Sequence, residues 1–523
     1  MIVGIDTGGT NVDAALVSER GVANTAKVPN AEPRDSIEAV LAALLDGTDP
    51  DSVDRVVVAT TLVVNAAVQD RLPPCSNVLV PGPGLSPRRA FFGDDNYVAD
   101  GSIDPRGRVV EEATFDHTVS NGVAAVTAKF SHRNPTLERT IGGSIDAAAV
   151  ALGNESGAGF TFPERAATTV ANAKAKPVFV EYKRDVEAAL EAAGIDAPLY
   201  YLKGDGAMLG AASMAATPAH TLRGGAAASA LGLLALSAVE NGVTVDIGGT
   251  TTDVTRVTDG FPAVESGIPE GEIAPEYDGV VSESLPLGGD TLVESNGEDP
   301  HLAQERVGNA AAFGGRKPTV TDALHVLDVF TDGDRSAARD AIGSLNGDDP
   351  ETVATVVLDA YLERVRTVID DVATSDTTAL VAGGVLAPHL ADRLVNGLDL
   401  DVVVPNHADV AGAVGCGVAR VSVETAVHAD SALGRMTVTS VGPESEESIE
   451  TGRRFTEAQA RDIAVERARE AASSAGGDER SAVEVRSLER FAVVENARVV
   501  GQIFDAEARV APGIEYDFAG DGP

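Results

Sequence analysis

The sequence predicts an α/β protein of two similar halves that face each other, with insertions and a small appended α/β module. Three observations carry that expectation. Residues 5–14 read IDTGGTNVDA and residues 245–254 read VDIGGTTTDV, so one ten-residue pattern is written twice, 240 positions apart. Short apolar runs of strand length alternate with segments of helical periodicity. Beyond about residue 426 the composition turns strongly charged. At 523 residues the chain exceeds one ordinary core, and its 44% hydrophobic content is ample for several. The expected domains are 1–240, carrying inserted loops over about 72–175, then 241–426 and 427–523.

The opening MIVGIDTGGTNVDAALVS is apolar, turn-like at Gly8 and Gly9, then apolar again, which is a β-hairpin pattern. DSIEAVLAALLDG follows, with Ile37, Val40, Leu41 and Leu44 at helical spacing, acid and hydroxyl residues before it and Gly47 after it. RVVVATT reads as a short buried strand and LVVNAAVQD as helical. Residues 72–115 are rich in Pro and Gly and read as loops and short strands. VAAVTAKF and RDVEAALEAAG continue the strand–helix alternation. GGAAASALGLLALSAVENG is a helix of small residues, suited to close packing. VTVDIGGTTTDVTRV then repeats the opening hairpin. PETVATVVLDAYLERVRTVIDDVA leads as a helix to the strand TALVAGG. In the tail, a helix over about 456–473 precedes alternating strands in ERFAVVENARVVGQIFDAEARV.

The charge excludes several classes of function. Eighty acidic against 40 basic residues give a net charge of −40, and seven of the basic residues are lysine. Such a surface repels nucleic acid and anionic membranes. The acids are spread throughout rather than gathered in a tail, as expected of a protein working at high salt, where screening suppresses their repulsion. No run of about 18 apolar residues appears, and the N-terminus has no basic leader. Cys75 and Cys416 offer neither a disulfide framework nor metal-ligand spacing, and the eight histidines are scattered. A cytoplasmic protein is expected.

Each copy of the repeat sets an Asp at the end of an apolar strand, then Gly-Gly-Thr in a turn, then a second Asp. The glycines permit positive φ and close approach of a ligand. Successive amides in such a turn make a concave anion site. Thr10 and Thr250 can bond a phosphate oxygen. Asp6 and Asp246 suit a hydrated Mg²⁺, and Asp13 and Asp253 recur at the same offset, either holding a metal-bound water or bracing the hairpin. The expected nucleotide contacts are Thr7, Gly8, Gly9, Thr10, Gly248, Gly249, Thr250 and Thr251. Catalytic roles fall to Asp6, Asp13, Asp246 and Asp253, and metal binding to Asp6 and Asp246. Two facing hairpins gripping one ATP resemble the actin/Hsp70/sugar-kinase (ASKHA) ATPase fold. The expected architecture is therefore two actin-like, ribonuclease-H-like domains. That fold holds adenosine with a late Gly-Gly turn, which the resemblance assigns to Gly383 and Gly384.

Several intervening stretches resemble the hydantoinase A/5-oxoprolinase family over residues 1 to about 425. They are ATTLVVNAAVQ, GSIDPRGRVVE, AKFSHRNPTLER, PERAATTVANAKAKPVF, LPLGGDTLVE and AAFGGRKPTVTDALHVL. The resemblance implies ATP-driven activation of a cyclic amide, hydantoin-like or 5-oxoproline-like, by phosphorylation of its carbonyl oxygen. It adds Gly288 and Gly289 to the nucleotide side, and Thr61, Asn65 and Asp322 to the substrate side, Asp322 being equally suited to cap a helix. It further implies a B-type partner polypeptide, with a homo-oligomer as another expectation. Lys203, Asp205 and Arg223 stand where the family carries small or amide residues, and are expected to border the cleft. Two other readings of the same residues are a non-enzymatic ATP-driven switch and a small-molecule kinase.

Overall fold

The computed structural model describes the chain except residues 120–121, 158–160, 268, 296–299, 307, 346–348, 397, 441–446, 451–454, 479–480 and 519–523. Strands β1 (Ile2–Thr7), β2 (Asn11–Ser18) and β3 (Gly21–Pro29) form an antiparallel meander. Helix α1 (Pro33–Leu44) then returns the chain to β4 (Arg55–Thr60), parallel to β1. Val3 and Ile5 of β1 and Val56 and Val58 of β4 bury against Ile37 and Leu41 of α1, the stripe that helical spacing predicts.

Past helix α2 (Leu62–Val68) the chain builds a second sheet. Strands β5 (Cys75–Val80), β6 (Asp95–Val98), β7 (Val123–Ala128) and β8 (Ala149–Leu152) are all parallel, in the order β8-β7-β5-β6. The stretch read as inserted loops is therefore an ordered α/β layer. Its Pro and Gly residues sit in the connections, whereas β5 and β7 are buried at every position. VAAVTAKF reads as a strand from its apolar run, but runs without alternation do not say which neighbours they pair with, or that the pairing is parallel.

The 31-residue helix α3 (Phe162–Ala192) leads back to β9 (Leu199–Leu202) and β10 (Met208–Gly210). The first sheet is thereby completed in the order β10-β9-β4-β1-β2-β3. Helix α4 (Gly224–Ala235) then crosses to the second half. There β11 (Gly242–Ile247), β12 (Thr252–Thr258), β13 (Phe261–Pro262) and β14 (Ser282–Leu285) precede helices α5 (Val320–Val326) and α6 (Pro350–Val372). Strands β15 (Ala379–Gly383) and β16 (Asp401–Val403) finish a sheet ordered β13-β12-β11-β15-β16, with β14 also on β12. Its hairpin β11–β12 and parallel neighbour β15 repeat the first half's β1–β2 and β4.

Helix α7 (Ala411–Val418) joins the halves from below. A Cβ on Gly232 of α4 would stand 1.9 Å from the Ala411 carbonyl oxygen, and one on Gly415 of α7 1.8 Å from that of Ala228. The two helices thus touch backbone to backbone. Ala227, Ala228 and Leu231 of α4 and Cys416 of α7 pack on the first sheet, while Leu233 of α4 and Ala411 of α7 reach Val381 of the second. This small-residue helix pair lies between two sheets whose β1 and β11 ends face each other.

The tail is a five-stranded antiparallel sheet backed by one helix. Its elements are β17 (Glu424–Asp430), β18 (Arg435–Ser440), β19 (Glu447–Glu450), helix α8 (Glu457–Ser474), β20 (Val483–Glu495) and β21 (Arg498–Val510), with strand order β19-β18-β17-β21-β20. Ala460, Ala464, Ala468 and Ala472 of α8 make an alanine stripe at four-residue spacing, all buried. No helix among the described residues is long and apolar enough to cross a membrane.

Candidate nucleotide site between the two hairpins

Both hairpins close in the same register. Asp6 stands opposite Asp13 across β1–β2, and Asp246 opposite Asp253 across β11–β12. The Gly8 amide donates to the Asn11 carbonyl at 3.0 Å, and the Gly248 amide to that of Thr251 at 2.9 Å. The turns face each other directly. A Cβ on Gly9 would lie 3.7 Å from Thr250 Oγ1, and one on Gly249 3.4 Å from Thr10 Oγ1. Among the described residues the Gly9, Thr10 and Gly249 amides donate to no acceptor. None of the four turn glycines has a positive φ. What they supply is the missing side chain, which lets the turns approach, rather than left-handed backbone.

The four aspartates are half-buried and share one electrostatic field. Burial pushes Asp6 well above the usual carboxylate range, and Asp13, Asp246 and Asp253 push it further. Asp13 and Asp253 are each raised to about 6, chiefly by burial, and Asp246 is raised for the same reason. Asp6 Oδ1 and Asp13 Oδ1 are buried with no hydrogen-bond partner. Orphaned, mutually repelling carboxylate oxygens are a setting that a cation stabilises. No three acidic, His or Cys side chains among the described residues converge as a metal-binding group. Asp6 and Asp246 therefore fit an ion held largely through its own waters and phosphate oxygens, the habit of Mg²⁺.

Four residues here escaped the sequence reading. Lys27 on β3 lies opposite Asp13 and pairs with it at 3.1 Å. Ser229 on α4 donates to Asp246 Oδ2 at 2.5 Å. Gly412 on α7 sits so close to Asp6 that a Cβ would stand 2.1 Å from Oδ2. The Asp290 carboxylate lies 2.6 Å from where a Gly249 Cβ would be. Lys27 was discoverable, because a short β2–β3 turn fixes its register against Asp13. Ser229 and Gly412 carry no local signal.

Several predicted residues have other work. Thr7 points into the core, its hydroxyl 2.6 Å from that of Tyr182; strand alternation puts it on the face opposite Asp6. Gly288 and Gly289 brace the second turn rather than offering amides. The Gly289 amide donates to the Gly248 carbonyl at 3.1 Å, Asp290's to Gly249's at 2.7 Å, and Gly288's to Thr291 Oγ1. Asp322 is fully buried at the third position of α5, accepting from the amides of Ala311, Ala312 and Thr319. It is a helix-capping and loop-fixing residue, not a substrate contact. Lys203 and Asp205 pair at 2.9 Å in the interior, beside Arg509 of the tail. Their charges are spent on each other and on Arg509, joining the first half to the tail sheet.

Thr61 and Asn65 do adjoin the site. The Asn65 amide donates to Thr61 Oγ1 at 3.0 Å, and the Thr61 methyl lies 3.0 Å from where a Gly225 Cβ would be, at the start of α4. Arg223 pairs with Glu270 nearby. Gly384, at φ +88°, sits under the second hairpin, 3.1 Å from Asp246 Oδ1 by the same Cβ measure. Its amide donates to the Ala408 carbonyl, and a Cβ there would stand 2.2 Å from the Ile247 carbonyl oxygen, so Gly384 serves close packing of the turn against the second hairpin and offers no free amide.

The chain is similar in family and fold to several known proteins. A family model described as hydantoinase/oxoprolinase matches residues 165–425, and that family's N-terminal region matches residues 2–87. The caprolactamase subunit alpha of Pseudomonas jessenii is 26% identical over 423 residues, covering 65% of this chain and 58% of that protein. The chain thus spans little more than half the length of that relative. Among solved structures, a nucleotide-free acetone carboxylase superposes with a TM-score of 0.73 at 15% identity, over 99% of this chain and 88% of that one. An ATP-dependent caprolactamase from Pseudomonas jessenii gives 0.66 at 19% identity, over 97% and 87%.

Proposed function

We propose, from the premise that the chain belongs to the hydantoinase/oxoprolinase family, that it binds ATP between its two hairpins and uses it to activate a cyclic amide of hydantoin or 5-oxoproline type. The observation that supports this best is the pair of Asp–Gly-Gly-Thr turns in one register, each glycine opposite the other turn's threonine hydroxyl. Free amides at Gly9, Thr10 and Gly249, with Thr10 and Thr250, suit a triphosphate tail shared by both halves. Asp6 and Asp246 would hold Mg²⁺ through water, and the ion supplies charge neutralisation on the phosphates.

An amide carbon is a poor electrophile. In the proposed step the amide oxygen attacks the γ-phosphorus, the bond to the bridging oxygen of ADP breaks, and the carbonyl oxygen now carries a leaving group. Water then adds at carbon and the ring C–N bond breaks as the nitrogen takes a proton, leaving an acyl phosphate; a second water hydrolyses it to the free carboxylate and inorganic phosphate. The chain's contribution is positioning and electrostatics, with Thr61 and Asn65 on the substrate side. Ring opening takes place with a second, B-type subunit; this fits the name of its relative, a subunit alpha. We take the chain to be a cytoplasmic, salt-adapted protein, in keeping with its net charge of −40.

The test is the rate of ATP hydrolysis with Mg²⁺, across KCl concentrations, against a panel of hydantoins, 5-oxoproline and larger lactams. Stimulation at least tenfold by one compound is expected. Equal rates across the panel would favour an ATP-driven switch, and a stable phosphorylated product without ring opening would favour a kinase.

A further inference from the structure

Strand β20 is the longer of the two edge strands of the tail sheet. It is 13 residues long and pairs only with β21 among the described elements. It has neither a proline nor a lysine, two of the devices that protect edges. Along it Val485, Phe491 and Val494 are 40%, 48% and 58% exposed, and Val499 and Val500 of β21 extend the apolar surface.

We infer that this edge pairs antiparallel with the same strand of a second copy, joining two tail sheets across a two-fold axis. Such an axis sets one residue opposite its own counterpart. Most centres fail on charge. Centring on Glu489 or Arg490 sets like charges face to face. Ala492 sets Glu489 against Glu495, and Leu488 sets Arg486 against Arg490. A centre on Val493 leaves only five paired residues, and centres nearer the start cross the bulge at Arg486. Centring on Phe491 stacks ring against ring and sets Arg490 against Ala492, Glu489 against Val493 and Leu488 against Val494. No like charges meet over nine residues, roughly 30 Å of strand. The nine residues carry a net charge of −1 in a chain of −40, so this is a place where two acidic copies can meet.

The full-length chain is tested by sedimentation and by cysteine cross-linking. The expected mass is twice the 53.5 kDa of the single chain. Residues directly opposed across strands lie within disulfide reach, so oxidised Phe491→Cys forms covalent dimers. Val494→Cys, no less exposed but facing Leu488, does not. The native Cys75 and Cys416 are buried and stay reduced. Phe491→Lys sediments as a monomer with its ATPase rate per chain and its circular dichroism unchanged. A monomer at every concentration, a dimer that survives Phe491→Lys, or equal cross-linking of the two cysteine variants would overturn the inference. So would a monomeric chain whose assembly with a second subunit is blocked by Phe491→Lys, which would give the edge to that subunit.

Discussion

In the first hairpin Asp13 faces Lys27 of β3; in the second, the matching place opposite Asp253 is Ser284 of β14. Beneath the strands, Asp6 rests against bare backbone at Gly412, whereas Asp246 receives the Ser229 hydroxyl. The turns are braced differently as well. Asn30 holds the first through the Gly8 carbonyl, and the 288–290 loop holds the second through two backbone bonds. Identical motifs in identical registers therefore carry different charge. The first has a cation beside its aspartates; the second has hydroxyls and the additional carboxylate of Asp290. If the site holds a divalent ion as proposed above, the pull would be stronger toward the second copy, whose aspartates have, among the described residues, no lysine paired with them as Lys27 is with Asp13.

The comparison is most sharply tested at the two leading aspartates. Asp246→Asn is expected to lower the ATPase kcat by about 10²–10³-fold, and Asp6→Asn by about tenfold less. Equal losses, measured in parallel at saturating Mg²⁺, would show that the two copies share the ion evenly. The supports come next. Lys27→Met removes a charged hydrogen bond worth about 2 kcal/mol, roughly a 30-fold loss of kcat. Ser229→Ala removes a weaker partner, about 1 kcal/mol or fivefold. If Ser229→Ala exceeded Lys27→Met in steady-state assays, the charge asymmetry would not govern catalysis.

The smallest expected effect is on stability. Asp13 and Asp253 titrate near 6 when folded, against an ordinary value of 3.8. Between those values the folded chain binds protons that the unfolded chain has released. Stability therefore falls as pH rises from about 4 to 6, and this contribution is flat above. A tenfold difference in proton affinity corresponds to about 1.4 kcal/mol. With both groups half-buried, solvent screening reduces the sum to about 2 kcal/mol, a few degrees in melting temperature. The slope should shrink in the Asp13→Asn/Asp253→Asn double variant, read by thermal melts across that pH window without nucleotide.

Much of the site was legible because the hairpins are local. Asp6 with Asp13, and Asp246 with Asp253, face each other through short turns, and period-two alternation fixes which side they share. The same alternation assigns Thr7 to the core, a step that reading the motif as a string of contacts overlooks. Asp322 was ambiguous for a physical reason. A carboxylate three residues after Thr319 satisfies a capping box whether or not a cleft lies beside it. Lys203 and Asp205 are expected at the cleft because the resemblance puts them there, and no local spacing reveals that Asp205 lies beside Arg509, about 300 residues further on.

By itself the sequence determined the paired hairpins, the alternation of strands and helices, the small-residue character of α4 and α7, and the acidic balance, since each follows from local spacing or composition. Tertiary structure decided which side chain completes each aspartate, whether the Gly-Gly amides are free or committed, and that the strands Cys75–Val80, Asp95–Val98, Val123–Ala128 and Ala149–Leu152 join in one parallel sheet. Those outcomes depend on backbones approaching within van der Waals contact between segments hundreds of residues apart, as Gly412 does at Asp6. No window of neighbouring residues encodes a distance of that kind.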